Sequence, residues 1–285
     1  MKLLITGAGG QLGQEWVDFC TNNGISFKGY SSNELNILDE DQLEYSFKTV
    51  QPDFFINCAA YTKVDKAEEE VELAGLVNSE SLKYICKLCS DHSTKFIHYS
   101  TDYVFSGSKE DRMQVPDGYP EDFATNPINV YGATKRRGEV VIKESDCDYL
   151  IVRVSWLCGQ YGYNFVKTML RLGIEKDELN VVNDQFGSPA FADQVVEQTF
   201  ELLQQNKSGT YHLSSDGITT WYHFSKEIFE QKGINVKVNP VSSADFPTKA
   251  KRPYFSKLST QKISNVDGVL ILDWKAGLQR LLKQL

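Results

Sequence analysis

With 285 residues, 41% of them hydrophobic, the chain is long enough to bury a large core in one domain or in two closely joined ones. Its net charge of −8 opposes non-specific binding to nucleic acid, and no apolar run approaches the ~20 residues that cross a bilayer. The first apolar run is too short for the core of a signal peptide, so we expect a cytoplasmic protein with reduced cysteines.

The chain begins with the pattern of a strand, a glycine turn and a helix. Lys2 to Thr6 form a short apolar strand, after which Gly7, Gly10 and Gly13 follow a GxxGxxG spacing. Glycine permits positive φ and lets the backbone approach a pyrophosphate, which binds the free N–H groups at a helix N-terminus. Any tight βα turn needs glycine, so it is the position of this turn in a βαβ unit that favours a dinucleotide site.

The second predicted strand, Ser26 to Tyr30, ends without an acidic residue. In NAD-selective sites an Asp or Glu at this strand tip binds the ribose 2′-hydroxyl. Tyr30, Ser31 and Ser32 instead leave room for a 2′-phosphate, although no arginine stands there to bind one. We therefore predict that NADPH is used, with NADH as an alternative cofactor.

Strands and helices go on alternating through the first 155 residues. Further strands are predicted at Asp53 to Asn57, Lys95 to Tyr99 and Tyr149 to Val154, with a helix from Asp41 to Val50 after the second strand. This alternation predicts an α/β fold with a Rossmann-like, doubly wound parallel sheet. Ligand-binding groups lie at the carboxyl ends of parallel strands, so one crevice should collect the residues that follow them, namely Cys58, Ala59, Ala60, Tyr61 and Thr62, and Ser100, Thr101 and Asp102.

Tyr131 and Lys135 follow Asn126 and Pro127, where a helix can start, and their spacing places both side chains on one helix face. A phenol of pKa about 10 exchanges protons poorly near pH 7. Lowering that pKa by about three units takes ~4 kcal/mol, which one opposite charge at ~4 Å supplies at an effective dielectric of ~20. We therefore predict that Lys135 lowers the pKa of Tyr131. An amphipathic helix with a packed Tyr and a solvated Lys is the alternative.

The pattern changes after Trp156, where aromatic residues cluster between shorter elements. We predict a dinucleotide-binding domain of residues 1–155 plus roughly 190–215, in which the strand-like Gly209 to Leu213 returns to the first sheet. Residues 156–189 and 216–285 should form a smaller C-terminal α/β substrate-binding lobe. Within it, a basic loop from Lys249 to Arg252 is either a solvated loop or a place where Arg252 binds an anionic substrate group.

Six cysteines are scattered through the predicted elements. Cys86 and Cys89 lie near His92, but no second ligand pair accompanies them and the stretch reads as an amphipathic helix. We therefore predict no metal site there.

The order and spacing of the glycine turn, Ser100-Thr101 and Tyr131-x-x-x-Lys135 resemble the extended short-chain dehydrogenase/reductase superfamily. Over nearly its whole length the chain is similar to the dTDP-4-dehydrorhamnose reductase family within it. Stretches from both halves carry this similarity, and they include Asn57–Asp65, Ser100–Phe105, Asn129–Gly132, Arg153–Trp156, Asn183–Gly187, Arg252–Pro253 and Asp273–Trp274.

The resemblance implies reduction of the C4 ketone of dTDP-4-dehydro-L-rhamnose to dTDP-L-rhamnose, with Thr101, Tyr131 and Lys135 as the catalytic set. Together with the glycine turn and the strand tip, it gives the cofactor-binding positions Gly7, Gly10, Gln11, Leu12, Gly13, Tyr30, Ser31, Asn36, Ile37, Ala59, Ala60, Tyr61, Thr62, Tyr99, Tyr131 and Lys135. Substrate-binding positions are Thr101, Asp102 and Trp156 by resemblance, and Arg252 by its charge.

Other interpretations stay open from the sequence. Some relatives hold Mg²⁺ between subunits through glutamates. Glu15 matches one of them but the others have no secure counterpart, so Mg²⁺ is possible by resemblance only. The chain is expected to be a monomer or a homodimer. Another nucleotide-sugar reductase, epimerase or dehydratase would share most motifs, but Tyr103 stands where a dehydratase would have a glutamate after Asp102. A non-catalytic regulatory subunit that resembles these reductases is the alternative from another class.

Overall fold

A computed structural model describes all residues from Met1 to Leu285. The strands are β1 Lys2–Thr6, β2 Ser26–Tyr30, β3 Phe54–Asn57, β4 Lys95–Thr101, β5 Tyr149–Val154, β6 Glu178–Val182, β7 Phe186–Gly187, β8 Gly209–Leu213, β9 Thr219–Thr220 and β10 Lys237–Val241. The α-helices are α1 Gln11–Asn22, α2 Glu40–Val50, α3 Val64–Ala67, α4 Val71–Gly75, α5 Ser81–Asp91, α6 Lys109–Gln114, α7 Val130–Lys143, α8 Phe165–Glu175, α9 Ala192–Gln204, α10 Trp221–Lys232, α11 Gln261–Ser264 and α12 Trp274–Leu282. A π-helical turn, Leu76–Glu80, joins α4 to α5.

Six strands form one parallel sheet in the order β2, β1, β3, β4, β5, β8. The chain runs outward from β1 to β2 and then crosses to the other side of β1 with β3, which makes the gap between β1 and β3 the switch point of a doubly wound sheet. The predicted fold class is confirmed, and β8 does extend the first sheet. The remaining four strands pair in two small sheets, β6 with β10 and β7 with β9.

Apolar side chains project from both faces of the sheet, because the side chains of neighbouring residues in a strand point to opposite sides. Leu3 and Ile5 of β1 pack with Trp16 of α1 in one buried cluster, whereas Leu4 packs in the opposite cluster with Phe55 of β3. A third cluster lies between β6, α8, α10 and α12 and includes Phe224. The sheet is thus buried on both faces, as a parallel sheet requires.

The C-terminal residues contribute to more than one of these cores. Ile263 and Val266 belong to the range 216–285 that the sequence assigns to the smaller lobe, yet they pack in the cluster of Leu3 and Ile5. Phe255 and Leu258 pack with Tyr119, close to the end of β4. These contacts tie the last third of the chain to the sheet, while the division into two lobes stays a prediction.

No helix of this fold combines the length and the apolar character that crossing a bilayer takes. The six cysteines carry free thiols, and five of them are buried.

A buried ion pair links α7 to the sheet. Arg153 of β5 donates from Nε and Nη2 to the two carboxylate oxygens of Glu139, at 2.8 and 2.6 Å, and both side chains are at most 2% exposed. Ser100 donates to the same carboxylate at 2.6 Å. Burial alone would raise the pKa of Glu139, but the hydrogen bonds and the charge of Arg153 lower it to about 2. The pair therefore anchors the helix that carries Tyr131 and Lys135.

Arg153→Ala should destabilise the fold by about 3–5 kcal/mol, because it leaves the Glu139 carboxylate buried without its partner. Urea unfolding measures this free energy. Arg171→Ala is the matched control, since it breaks an exposed pair with Glu175 one helical turn away and should shift the midpoint little. Equal effects of the two substitutions would contradict the anchoring role.

Candidate active site

The glycine turn lies at the carboxyl end of β1, beside the loop that follows β3. Gly7 has a φ of +68°, and a Cβ on it would lie 2.6 Å from the backbone nitrogen of Ala59. A Cβ on Gly13 would collide with the carbonyl oxygen of Gly7. Gly10 caps α1 without a side chain, so the first N–H groups of this helix stay open to a ligand. The turn fits a pyrophosphate.

The tip of β2 contains a carboxylate that the sequence pattern did not reveal. Tyr30 accepts a hydrogen bond from the Ala8 nitrogen at 3.0 Å, which places the tip next to the glycine turn. The backbone nitrogen and the hydroxyl of Ser31 both donate to Glu34, at 2.8 and 2.7 Å. The prediction of a tip without an acidic group is therefore wrong, because a tight turn returns Glu34 to Ser31. Those hydrogen bonds lower the pKa of Glu34 and keep it charged.

The loop after β3 is fixed by hydrogen bonds to residues that the sequence pattern did not indicate. The backbone of Tyr61 exchanges two hydrogen bonds with the Asn78 amide, at 2.9 and 3.1 Å, and Asn78 also donates to Thr134 of α7. Asn78 lies in the π-helical turn, where a polar residue in an amphipathic stretch gives no distinctive signal. It fixes the loop of Ala59, Ala60 and Tyr61 relative to α7.

The other predicted cofactor-binding residues differ in their exposure and in their contacts. Thr62 and Asn36 are exposed, and Ala60 is half-buried. Ile37 and Leu12 are buried in the two cores that flank the sheet, so their side chains fill the interior. Gln11 donates to the Leu157 carbonyl and accepts from Asn164, and it thereby connects the glycine turn to the segment after β5.

Tyr99 does not present its phenol to the crevice. Its hydroxyl accepts from the Trp16 indole at 2.8 Å and donates to Thr199 at 3.1 Å, deep between α1 and α9. Only its carbonyl faces the site, where it accepts a hydrogen bond from Lys135 at 2.7 Å. The side chain of Tyr99 therefore fills the core, and only its backbone can contribute to the predicted cofactor site.

Helix α7 is packed unusually close to the end of β4. Asn129 caps the helix by accepting from the Gly132 nitrogen at 2.8 Å. A Cβ on Gly132 would collide with the Tyr103 carbonyl oxygen, and one on Gly138 would collide with that of Asn78. The two glycines therefore let α7 lie against backbone, which brings Tyr131 in its first turn beside Thr101.

Tyr131 and Lys135 share a helix face, but the predicted effect of Lys135 on the phenol is wrong in this structure. Burial raises the pKa of Tyr131 well above its ordinary value, and a hydrogen bond with Thr101 opposes only part of that rise. The Lys135 amine is turned away, to the Tyr99 carbonyl and to Nε2 of His98 at 2.9 Å. Burial lowers the pKa of Lys135 to about 8. The phenol is thus a protonated group beside a threonine hydroxyl.

Asp102 is placed to orient Thr101. Its Oδ1 accepts from the Thr101 hydroxyl at 2.8 Å, whereas its buried Oδ2 has no hydrogen-bond partner. Burial raises the pKa of Asp102 to about 7, against the effect of hydrogen bonds from Thr101 and Ser256. The carboxyl group lies one residue from Thr101 and is 4% exposed.

Trp156 follows β5 and borders the second lobe. Its φ of +48° is a strained value for a non-glycine residue, and its ring stacks on Trp221 with 3.6 Å between centroids. The indole nitrogen donates to Ser256 at 3.1 Å. Next to this stack a cavity of about 960 Å³ is lined by Phe165, Trp221 and Arg252 and by residues of α8 and β6. Its size suits a nucleotide.

The basic loop is docked on the sheet domain. Arg252 donates from Nη2 to Asp65 at 2.6 Å, and the Ala250 nitrogen donates to the other oxygen of Asp65 at 3.0 Å. Asn129, the cap of α7, donates to the Lys251 carbonyl at 2.9 Å. The loop is therefore not free in solvent, and it meets the end of the helix that carries Tyr131.

No group of three or more His, Cys, Asp or Glu side chains is arranged to hold a metal ion. Glu15 is 5% exposed, and burial together with the neighbouring Asp193 raises its pKa to about 7. The Mg²⁺ that the resemblance leaves possible has no support here.

Comparisons with known proteins identify relatives of the whole chain. The family model described as the RmlD substrate binding domain matches residues 1–285. The dTDP-4-dehydrorhamnose reductase of Escherichia coli (strain K12) is 38% identical, covering 100% of this chain and 98% of that protein. The spore coat polysaccharide biosynthesis protein SpsK of Bacillus subtilis (strain 168) is 36% identical over 99% of this chain and 97% of its own length.

Solved structures show the same relationship. The crystal structure of dTDP-4-dehydrorhamnose reductase from Bacillus anthracis in complex with NADP superposes with a TM-score of 0.93 at 37% identity, covering 100% of this chain and 99% of that one. A UDP-glucose 4-epimerase from Thermus thermophilus in complex with NAD reaches 0.83 at 17% identity, with 100% of this chain and 98% of that one covered, which shows only a shared fold. From its matching family model and its full-length relatives, the chain belongs to the dTDP-4-dehydrorhamnose reductase family.

Proposed function

We propose that this protein reduces the C4 ketone of dTDP-4-dehydro-L-rhamnose to give dTDP-L-rhamnose, with a nicotinamide dinucleotide as reductant. It is an oxidoreductase of the family identified above. The observation that carries the proposal is the pairing of the protonated Tyr131 phenol with the Thr101 hydroxyl, at the end of the strand next to the cofactor crevice.

The residues present fit the cofactor. Gly7 and Gly13 lie where any larger residue would collide with backbone, and the open N-terminus of α1 can receive the pyrophosphate. When bound, the nicotinamide supplies the hydride, and the protein provides binding, orientation and electrostatics. Lys135 is placed at the end of β4 to donate to a ribose hydroxyl.

Reduction of a ketone places negative charge on its oxygen, which must be stabilised and protonated as the charge develops. The Tyr131 phenol is protonated at neutral pH, and it can deliver that proton as the charge on the ketone oxygen develops. The Thr101 hydroxyl, whose single hydrogen is directed at Asp102, can donate a second hydrogen bond to the same oxygen when it turns from that carboxyl group to the ketone. The three groups form an acid site at one wall of the crevice.

The sugar nucleotide is assigned to the space between this wall and the second lobe. Arg252 lines both the 960 Å³ cavity and the entrance beside Asp65, and only one of its donors is used by that carboxylate. The remaining guanidinium donors are available to a diphosphate. Trp156 and Trp221 provide the apolar wall on which a ring can pack.

Cofactor choice is proposed to depend on Glu34. We propose that NADPH is bound and that NADH is used as well. Ser31 offers two donors suited to a 2′-phosphate, but Glu34 occupies both of them and carries a negative charge. An NADPH molecule must displace Glu34, whereas the 2′-hydroxyl of NADH can donate to it.

Tyr131→Phe should lower reduction by about 10²-fold or more at saturating substrate, because only the proton donor is lost. The measurement is NADPH oxidation with dTDP-4-dehydro-L-rhamnose, together with a titration of NADPH binding, which should be unchanged. Tyr84→Phe is the control, since that phenol bonds Glu44 far from the crevice. Turnover close to wild type in Tyr131→Phe would refute the assignment.

Glu34→Gln should raise the ratio of kcat/KM for NADPH to that for NADH by roughly three- to tenfold, because an exposed like charge near the phosphate is removed. Glu40→Gln, which neutralises an exposed carboxylate at the start of α2, should leave the ratio unchanged. If both variants keep the wild-type ratio, Glu34 does not select the cofactor.

Arg252→Ala should weaken dTDP binding by roughly ten- to a hundredfold while leaving NADPH affinity alone, as expected for one charge-assisted contact with a diphosphate. Separate calorimetric titrations of the two ligands measure this. Lys251→Ala removes an equal charge from an exposed neighbour in the same loop and serves as control. Unchanged dTDP affinity in Arg252→Ala would assign Arg252 to loop docking only.

A further inference from the structure

A line of buried polar groups runs beneath the crevice and ends at Lys135. The Thr6 hydroxyl of β1 donates to Oδ1 of Asn57 on β3 at 2.9 Å. Nδ2 of Asn57 lies 3.2 Å from Nδ1 of His98 on β4, and Nε2 of His98 lies 2.9 Å from the Lys135 amine. Asn57, His98 and Lys135 are each 1% exposed, so water cannot substitute for a missing partner.

The orientation of the Asn57 amide is fixed by a backbone group. The Ala59 nitrogen donates to Oδ1 of Asn57 at 3.1 Å, and a backbone N–H can only donate. The oxygen of this amide therefore faces Ala59 and Thr6, and the NH₂ group faces His98. If the amide were flipped, its NH₂ group would face two donors, the Ala59 N–H group and the Thr6 hydroxyl.

The amide orientation determines the tautomer of His98. Because Asn57 donates to Nδ1, that nitrogen must accept, and the single proton of a neutral imidazole must be on Nε2. Burial lowers the pKa of His98 well below its ordinary value, so the ring is neutral. The Nε2–H bond then points at the Lys135 amine.

Lys135 also has a fixed acceptor on its other side. Its amine donates to the Tyr99 carbonyl at 2.7 Å. An ammonium has three donors and no lone pair, so it would oppose the Nε2–H bond of His98, whereas a neutral amine can accept that hydrogen bond and still donate to Tyr99. We propose that Asn57 fixes the tautomer of His98 and that His98, as a positioning residue, favours the neutral amine form of the catalytic Lys135.

The other charged groups near Lys135 do not cancel this effect of His98 on its protonation. Glu139, one turn further along α7, acts to raise the pKa of Lys135, but burial outweighs it. Glu139 is itself paired with Arg153 of β5 and is shared with Lys143 on the same helix. His98 on β4 is the remaining titratable group in contact with the amine, and its Nε2–H acts in the same direction as burial.

On the proposed function, the ammonium form of Lys135 is the one that donates to the cofactor ribose. The rate should therefore fall as the pH rises through the pKa of Lys135, and kcat/KM reports that pKa for the enzyme alone. If His98 disfavours the ammonium, this alkaline decline occurs at a lower pH than it would without His98.

The tautomer is measured directly by NMR on the enzyme alone, labelled with ¹⁵N at its histidine rings. The signals of His98 are assigned by their disappearance in His98→Gln. At pH 8.5 we expect a protonated Nε2 and an unprotonated Nδ1. A protonated Nδ1 would overturn the proposal. This result depends neither on the substrate nor on activity, so it stands apart from any failure of the proposed reaction.

The pH profile of kcat/KM tests the effect on Lys135. In His98→Gln the amide oxygen can accept from the ammonium, and in Asn57→Asp the new carboxylate accepts from Nδ1 of His98, which turns Nε2 into an acceptor. Both substitutions should move the alkaline decline upward by about one pH unit, the equivalent of one hydrogen bond. His92→Gln, at the exposed end of α5, should leave the decline in place.

A purely structural role would lower kcat/KM at every pH without moving the decline, and this outcome in both folded variants would overturn the proposal. A downward shift would overturn it as well. If one variant does not fold, as judged by circular dichroism, the other variant and the tautomer measurement decide the matter.

Discussion

The contact on which the site depends is the one between Lys135 and the Tyr99 carbonyl, because it fixes α7 against the end of β4. Gly132 and Gly138 let the same helix lie directly against the backbone of Tyr103, just after β4, and of Asn78 in the π-helical turn. The buried pair of Glu139 and Arg153 holds the same helix one turn further on. Tyr131 is thereby placed on a rigid element next to Thr101, as acid catalysis by a weakly acidic phenol requires.

The C-terminal part of the chain meets this rigid part through apolar clusters and, near the site, through a few polar contacts. Asp65 receives both Arg252 and the Ala250 backbone, and Asn129 joins the α7 cap to the Lys251 carbonyl. Gln11 makes a similar link from the glycine turn to Asn164 at the start of α8. The groups that we propose to contact cofactor and substrate are thus linked by hydrogen bonds into one connected framework.

Much of this fold was predictable because its elements carry their own signals. The six strands of the main sheet are apolar runs ended by small or polar residues, and the glycine turn lies at the end of the first of them. The position of Tyr131 and Lys135 on one helix face also follows from spacing alone. What spacing does not give is the direction of a long, flexible side chain, and Lys135 turns to the sheet rather than to the phenol.

The features that the sequence did not predict are contacts between residues far apart in the chain, or they depend on local backbone geometry. Glu34 reaches Ser31 because the chain turns back after β2, and a strand-tip pattern that stops at the third residue misses it. His98 lies in an apolar strand, where a single histidine looks like any buried polar residue. Its partners Asn57 and Lys135 are 41 and 37 positions away in the sequence. Only the fold brings such groups into one hydrogen-bonded line.

We propose that hydride reaches C4 of the sugar in this crevice and that the protein supplies the proton to the C4 oxygen. This proposal is tested most directly by incubating the enzyme with dTDP-4-dehydro-L-rhamnose and NADPH deuterated at the transferable position of the nicotinamide, and by analysing the product by NMR. We predict dTDP-L-rhamnose with deuterium at C4. Cofactor that remains unoxidised, or deuterium at any other carbon of the sugar, would contradict the account.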